Sequence, residues 1–157
     1  MSQTADPLGL LECAIEQAGR PIARTRADQA RLPTPCSEFD LRALVNHIVY
    51  DVRLFTAMLT GAERALHLPF GERPAAWALG QRTTDLVVHS WDVATATGQS
   101  TNDFDPELAR VALDWARDNL TPQLRGRAFG PEVAVPETAP IYDRLVGFFG
   151  RDPAAFR

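Results

Sequence analysis

Lysine is absent: all 16 basic residues are arginine. Together with abundant alanine and proline, that points to a GC-rich genome and says nothing of mechanism. A basic excess is also lacking. The formal net charge is −4, which argues against a nucleic-acid surface, because phosphate binding needs the opposite balance. Cysteine is scarce, with only Cys13 and Cys36. Two thiols in 157 residues make no disulfide framework, and a reduced, cytoplasmic chain is the simpler reading. The opening "MSQTADPLGLLECAIEQ" has neither a basic n-region nor a long apolar core, so no signal peptide is expected. No run approaches the roughly 18 apolar residues of a membrane span. Strand pairs, internal repeats and low-complexity tracts are missing as well.

What is present is helical. The length suits about one domain, residues 1–157. Hydrophobic content of 45% is enough for a core. Asp6-Pro7 and Asp105-Pro106 each place a capping residue before a proline at the first helical position. The first pair starts a helix with a stripe of Leu8, Leu11, Ile15 and Ala18, expected to kink or end near Gly19 because Pro21 removes a backbone donor. Asp40 caps a second helix to about Thr60, with Leu41, Leu44, Val45, Ile48, Val52, Phe55 and Leu59 at helical spacing and Gly61 as its stop. A third runs from about Pro74 to Thr97 with Gly98 closing it. A fourth reaches about Leu120, and a last short one covers Pro140 to Phe149. The expected fold class is all-α, a helical bundle.

The third helix poses a problem. "TTDLVVHSWDVATATGQ" is apolar enough to be buried, yet it carries Asp85, His89 and Asp92. A buried carboxylate costs several kcal/mol unless compensated, about the scale seen for unpaired buried charges. Residues four apart share a helix face, so Asp85 and His89 point together, with Asp92 flanking them. The second helix offers His47, in a stripe with Leu44, Asp51, Leu54 and Met58. If these helices pack side by side, His47, Asp85 and His89 converge into two imidazoles and one carboxylate, a common catalytic metal shell. The same residues are compatible with a histidine satisfied inside an apolar core, and Asp92 with an ion pair to an arginine. Asp51 reads as a residue behind the ligands or as solvated, and His67 as a polar loop residue. Trp77, Trp91 and Trp115 read as core or groove aromatics, and Cys13 as a small core residue. Cys36 could approach a site near the start of the second helix. No adjacent base is visible, which speaks against nucleophilic catalysis.

The blocks "LPTPCSEFDLRALVNHIVY", "LPFGERPAAWALGQRTTDLVVHSWDVATATGQ" and "FGPEVAVPETAPIYDRLVGFFGRDP" resemble the DinB-like metal-binding proteins, in the actinobacterial branch related to mycothiol-dependent maleylpyruvate isomerase. The resemblance covers nearly the whole chain. It implies a four-helix bundle and a divalent metal, usually zinc and sometimes nickel, held by His47, Asp85 and His89. Asp92, after the His-x-Trp, would then orient an imidazole or an arginine. The implied chemistry is that of an isomerase or S-transferase: the metal activates mycothiol or another low-molecular-weight thiol towards a small electrophile. Two departures stand out. The carboxylate is Asp85 where the isomerase has Glu. Relatives also carry a further helix between the second helix and "LPFGE", so this bundle lacks part of one wall. Exposed apolar area on the second helix would then be covered in a homodimer, either side by side or swapped so that His47 meets the other chain's Asp85 and His89. Two other readings stand beside the enzyme: a non-catalytic metal-binding or interaction module, and a family member recruited to a biosynthetic pathway with a remade pocket.

Overall fold

The computed structural model of the chain describes residues 6–59, 74–121, 125 and 129–156. Among them are five α-helices and no strand, only the isolated bridges Pro33–Asp40 and Arg125–Phe129. The all-α class is therefore observed. The helices are α1 (Pro7–Ala23), α2 (Leu41–Leu59), α3 (Ala75–Ala96), α4 (Pro106–Asn119) and α5 (Ile141–Phe148). Short 3₁₀ turns cover Ala27–Gln29 and Pro153–Phe156. No described helix is long and apolar enough to cross a membrane. Thr60, Gly61, His67 and the "LPFGER" part of the connector lie outside the described residues.

The starts of α1, α2 and α4 follow their side-chain caps, whereas Pro74 and Pro140 precede α3 and α5. The Asp6 carboxylate accepts from the amides of Leu8 and Gly9 at 3.2 and 3.3 Å, Asp40 from Ala43 at 2.8 Å, and Asp105 from Glu107 at 2.8 Å. Two ends are Schellman motifs. After α3, Gly98 takes φ +67, and Gln99 N donates to Ala94 O at 2.8 Å. After α5, Gly150 takes φ +82, Gly150 N donates to Gly147 O, and Arg151 N to Val146 O, each at 3.0 Å. Any Cβ on Gly150 would also lie 2.8 Å from Pro131 O. This turn has a consequence for the site, because it swings Arg151 back under the bundle.

α3 is the central element, packed by α1, α2, α4 and α5. Leu86, Val87, Val88, Trp91, Val93 and Ala94 are buried around its circumference, as expected of a helix apolar on nearly all faces. A buried polar junction locks its neighbours. Gln17 Nε2 donates to Ser90 Oγ at 3.2 Å and to Tyr142 Oη at 2.8 Å, and Gln17 Oε1 accepts from Asp105 N at 2.9 Å. Tyr142 in turn donates to Asp105 O at 3.1 Å. Every hydrogen-bonding group of this glutamine except one lone pair is used, so α1, α3, α5 and the start of α4 share one satisfied contact. Burial, opposed by the Gln17 hydrogen bond, pushes the Tyr142 phenol up to about 12.

α1 departs from expectation in three respects. It continues through Pro21 to Ala23, since proline's φ suits a helix and only one donor is lost. The Pro21 carbonyl accepts from Arg24 N at 3.2 Å and from Gln99 Nε2 at 3.0 Å. The buried stripe is Leu11, Ala14, Gln17, Ala18 and Pro21, whereas Leu8 and Ile15 are 51% and 40% exposed. Cys13 is likewise exposed and not a core residue. Small residues at 14 and 18 let α1 approach α3 closely, and that choice rotates the larger aliphatics outward. Leu8 and Ile15 instead line a groove of about 200 Å³ between α1 and α2, together with Leu11, Val52 and Phe55.

Candidate metal centre

α2 lies along α3, and the contact brings His47 opposite Asp85 and His89. The loop before α2 prepares this. Thr34 Oγ1, buried, bridges the carbonyl oxygens of Cys36 and Phe39 at 2.9 and 2.7 Å. Phe39 then stacks on the His47 ring, with centroids 5.2 Å apart and planes at 22°. His47 meets His89 edge-on, centroids also 5.2 Å apart.

The coordinating atoms of His47, Asp85 and His89 all lie within 4.8 Å of one another. His47 Nε2 is 3.7 Å from Asp85 Oδ2, and His89 Nε2 is 3.5 Å from Asp85 Oδ1. Tetrahedral zinc with bonds near 2.0–2.1 Å needs ligand atoms about 3.3 Å apart. The two histidine–aspartate separations, which run to different oxygens of Asp85, exceed that spacing by a few tenths of an ångström. The convergence occurs within one chain, so no helix from a second copy is needed to complete it.

Behind His89 stands a relay of buried charges. His89 Nδ1 is 2.9 Å from Asp92 Oδ2. The Asp92 carboxylate is fully buried and is gripped by Arg151, with Nε to Oδ1 at 3.2 Å and Nη2 to Oδ2 at 2.8 Å. Arg151 Nη1 also donates to Phe149 O at 2.9 Å. With Nδ1 donating to Asp92, the Nε2 lone pair faces Asp85. That is an acceptor facing an acceptor, unfavourable unless a proton or a cation lies between them. Asp92 thus serves both roles weighed from the sequence: it orients an imidazole and pairs with an arginine.

The electrostatics are consistent. Burial alone would raise the Asp92 carboxyl, but the Arg151 guanidinium and the His89 hydrogen bond outweigh it and hold Asp92 below the usual carboxylate value. Burial likewise works against Arg151, and Asp92 more than restores it. For His89, burial disfavours the imidazolium, yet Asp85 and Asp92 together lift it above the ordinary histidine value of 6.5. In metal-free protein the stability contributed by charged His89 is complete below pH 6.5 and lost as pH rises through the raised value. A bound metal requires neutral imidazole, so binding must expel that proton. Zinc affinity is therefore expected to climb with pH through the raised His89 value and then flatten. Chelator-competition titrations from about pH 6 to 8 check this, and a pH-independent affinity would contradict it.

Two further groups complete the cluster. Arg82, buried on α3, donates from Nη1 to Asp85 Oδ2 at 3.1 Å and makes a close ion pair with Asp51, which also lies 3.7 Å from His47 Nε2. Its Nε has no partner among the described residues. Asp51 thus pairs with Arg82 and lies as far from His47 Nε2 as Asp85 does. The Cys36 Sγ lies within 4.8 Å of candidate ligand atoms of His89 and Asp92, and burial chiefly pushes its thiol up, away from a reactive thiolate. Arg82 was readable as the residue three before Asp85. Arg151, 59 positions from Asp92, had no local signal.

No family model matches the sequence. No solved structure matches it. The chain is 36% identical over 179 aligned residues to two Mycobacterium tuberculosis proteins, "Uncharacterized protein Rv0738" of strain ATCC 25618 / H37Rv and "Uncharacterized protein MT0763" of strain CDC 1551 / Oshkosh. The match covers 93% of this chain and 98% of each relative. The aligned length exceeds the 157 residues here, so the relatives carry residues that face gaps in this chain. At that identity and coverage, the chain belongs to the family of these two mycobacterial proteins.

Proposed function

We propose that this protein is a DinB-like metalloprotein whose divalent ion, zinc first and nickel next, is held by His47, Asp85 and His89. The observation that carries this reading is the convergence of those three groups from two helices, backed by the Asp92–Arg151 pair that fixes the His89 tautomer. We infer an isomerase or S-transferase that joins a low-molecular-weight thiol such as mycothiol to a small electrophile. A bound ion would lower the pKa of a coordinated thiol and offset charge developing on the electrophile. The chain's own residues supply the rest. Asp92 keeps Nδ1 of His89 protonated and Nε2 free, and Arg82 holds Asp85 and Asp51 in place from behind. Metal analysis of the purified protein tests the reading. A preparation that stays metal-free after dialysis against zinc or nickel rejects it; bound metal with no turnover across thiols and electrophiles leaves a non-catalytic metal-binding module.

A second reading has a specific observation behind it. Arg82 already brings a cation to Asp51 and Asp85. In this reading the cluster is a self-neutralised polar core, and the same metal analysis separates the two. Asp92→Asn distinguishes them further. The metal reading expects zinc affinity to fall about 10- to 100-fold without abolishing binding. Chelator competition measures it; complete loss would make Asp92 a ligand.

The exposed apolar residues Leu8, Ile15, Val49 and Tyr50 on α1 and α2 support a homodimer. Light scattering at micromolar concentration is expected to give twice the chain mass, and a strict monomer rejects it.

A further inference from the structure

A cleft of about 100 Å³ opens beside the histidine cluster, between α3, α4 and the segment after α5. Its walls are aromatic. Trp77 and Trp115 stand 5.3 Å apart, tilted at 60°, and Phe129 meets Phe149 at 5.2 Å. Asp85 and His89 lie in the same lining. Thr84 also lines it, and its buried hydroxyl has no partner among the described residues. An unsatisfied hydroxyl in an apolar wall is costly unless a ligand meets it. The Trp115 wall is backed by a glycine that is not itself in the lining: a Cβ on Gly80 would lie 2.2 Å from Trp115 Nε1 and 2.3 Å from Cδ1. The indole therefore rests on bare helix backbone, and any side chain at position 80 would push it away.

Size and charge narrow the occupant. The volume is of the order that holds one aromatic ring. Around the cluster stand the carboxylates of Asp51, Asp85 and Asp92, the guanidiniums of Arg82 and Arg151 and the imidazoles of His47 and His89. A divalent cation adds positive charge there, even where it takes the place of an imidazole proton, and makes the end of the cleft more favourable to an anion. We propose that this cleft is the substrate subsite and that it takes a single aromatic ring bearing an anionic oxygen group, a benzoate-type acid. The ring lies against Trp77 and Trp115 and the anionic group faces the Asp85–His89 end. The preference for an anion rests on the metal reading; the preference for a ring does not.

The experiment titrates the full chain with benzyl alcohol and with benzoate, with and without one equivalent of zinc, followed by ligand-observed NMR and tryptophan fluorescence. Benzyl alcohol is expected to bind equally in both states. Benzoate is expected to bind at least tenfold more tightly with zinc, and His89→Ala to erase that gain. Gly80→Ala is expected to weaken benzyl alcohol at least tenfold while circular dichroism stays helical. Should Gly80→Ala melt early, Trp77→Ala, in the first turn of α3, carries the same expectation. No benzyl alcohol binding to the unmodified protein, or undiminished binding in these variants, overturns the ring subsite. Benzyl alcohol binding with benzoate indifferent to zinc overturns the anionic end and leaves the ring subsite standing.

Discussion

His89→Ala is expected to reduce bound zinc from about one equivalent per chain to background, whereas His67→Ala keeps it. His89 supplies the only imidazole on α3, and its Nε2 lies 3.5 Å from Asp85 Oδ1 with Nδ1 committed to Asp92. Removing it leaves His47 and one carboxylate, too few protein ligands for a stable catalytic site. The fold should survive, because Asp92 keeps both of its bonds to Arg151. His67 belongs by sequence to the connector between α2 and α3, outside the described residues. Elemental analysis after dialysis, with circular dichroism to establish that each variant is folded, measures the contrast. Equal metal loss in the two variants, or full retention in His89→Ala, would refute the assignment.

Arg151→Met should be the most damaging single change for stability, costing about 3–5 kcal/mol. Methionine fills similar volume but leaves the Asp92 carboxylate buried with one remaining partner, His89. A guanidinium that makes two bonds to one carboxylate and a third to the Phe149 carbonyl cannot be replaced by a lysine, so Arg151→Lys should also be clearly destabilised. The Asp92→Asn/Arg151→Met double variant should lose less than the sum of the single losses, because the stranded charge is gone. The pH dependence should change as well. In the unmodified protein, depressed Asp92 contributes stability above its ordinary value of 3.8, which is lost as pH falls through its lower folded value. Without Arg151 that contribution shrinks, since burial raises the carboxyl. Guanidinium denaturation across pH reads all of these, and a loss below about 1 kcal/mol would show that the pair is not essential to the core.

The helix starts, the helix ends at Gly98 and after α5, and the pairing of Asp85 with His89 were legible because each rests on local geometry: a cap, a left-handed glycine, one turn of helix. His47 was reachable through the stripe on α2. The face of α1 was not, since Leu8, Leu11, Ile15 and Ala18 form as regular a stripe as Leu11, Ala14, Ala18 and Pro21. Periodicity identifies a helix without saying which of two overlapping stripes a neighbour will accept.

By itself, the sequence determined the all-α class, the helix order and a set of polar residues that a buried helix has no reason to carry unless they are compensated. Only the tertiary structure decided how they are compensated. Arg151 reaches Asp92 because Gly150 reverses the chain after α5, Arg82 turns inward because α2 presents Asp51, and Trp115 forms a cleft wall because Gly80 leaves room for its indole. These partners lie on different helices and loops. Their meeting depends on how the helices pack, which no local pattern encodes.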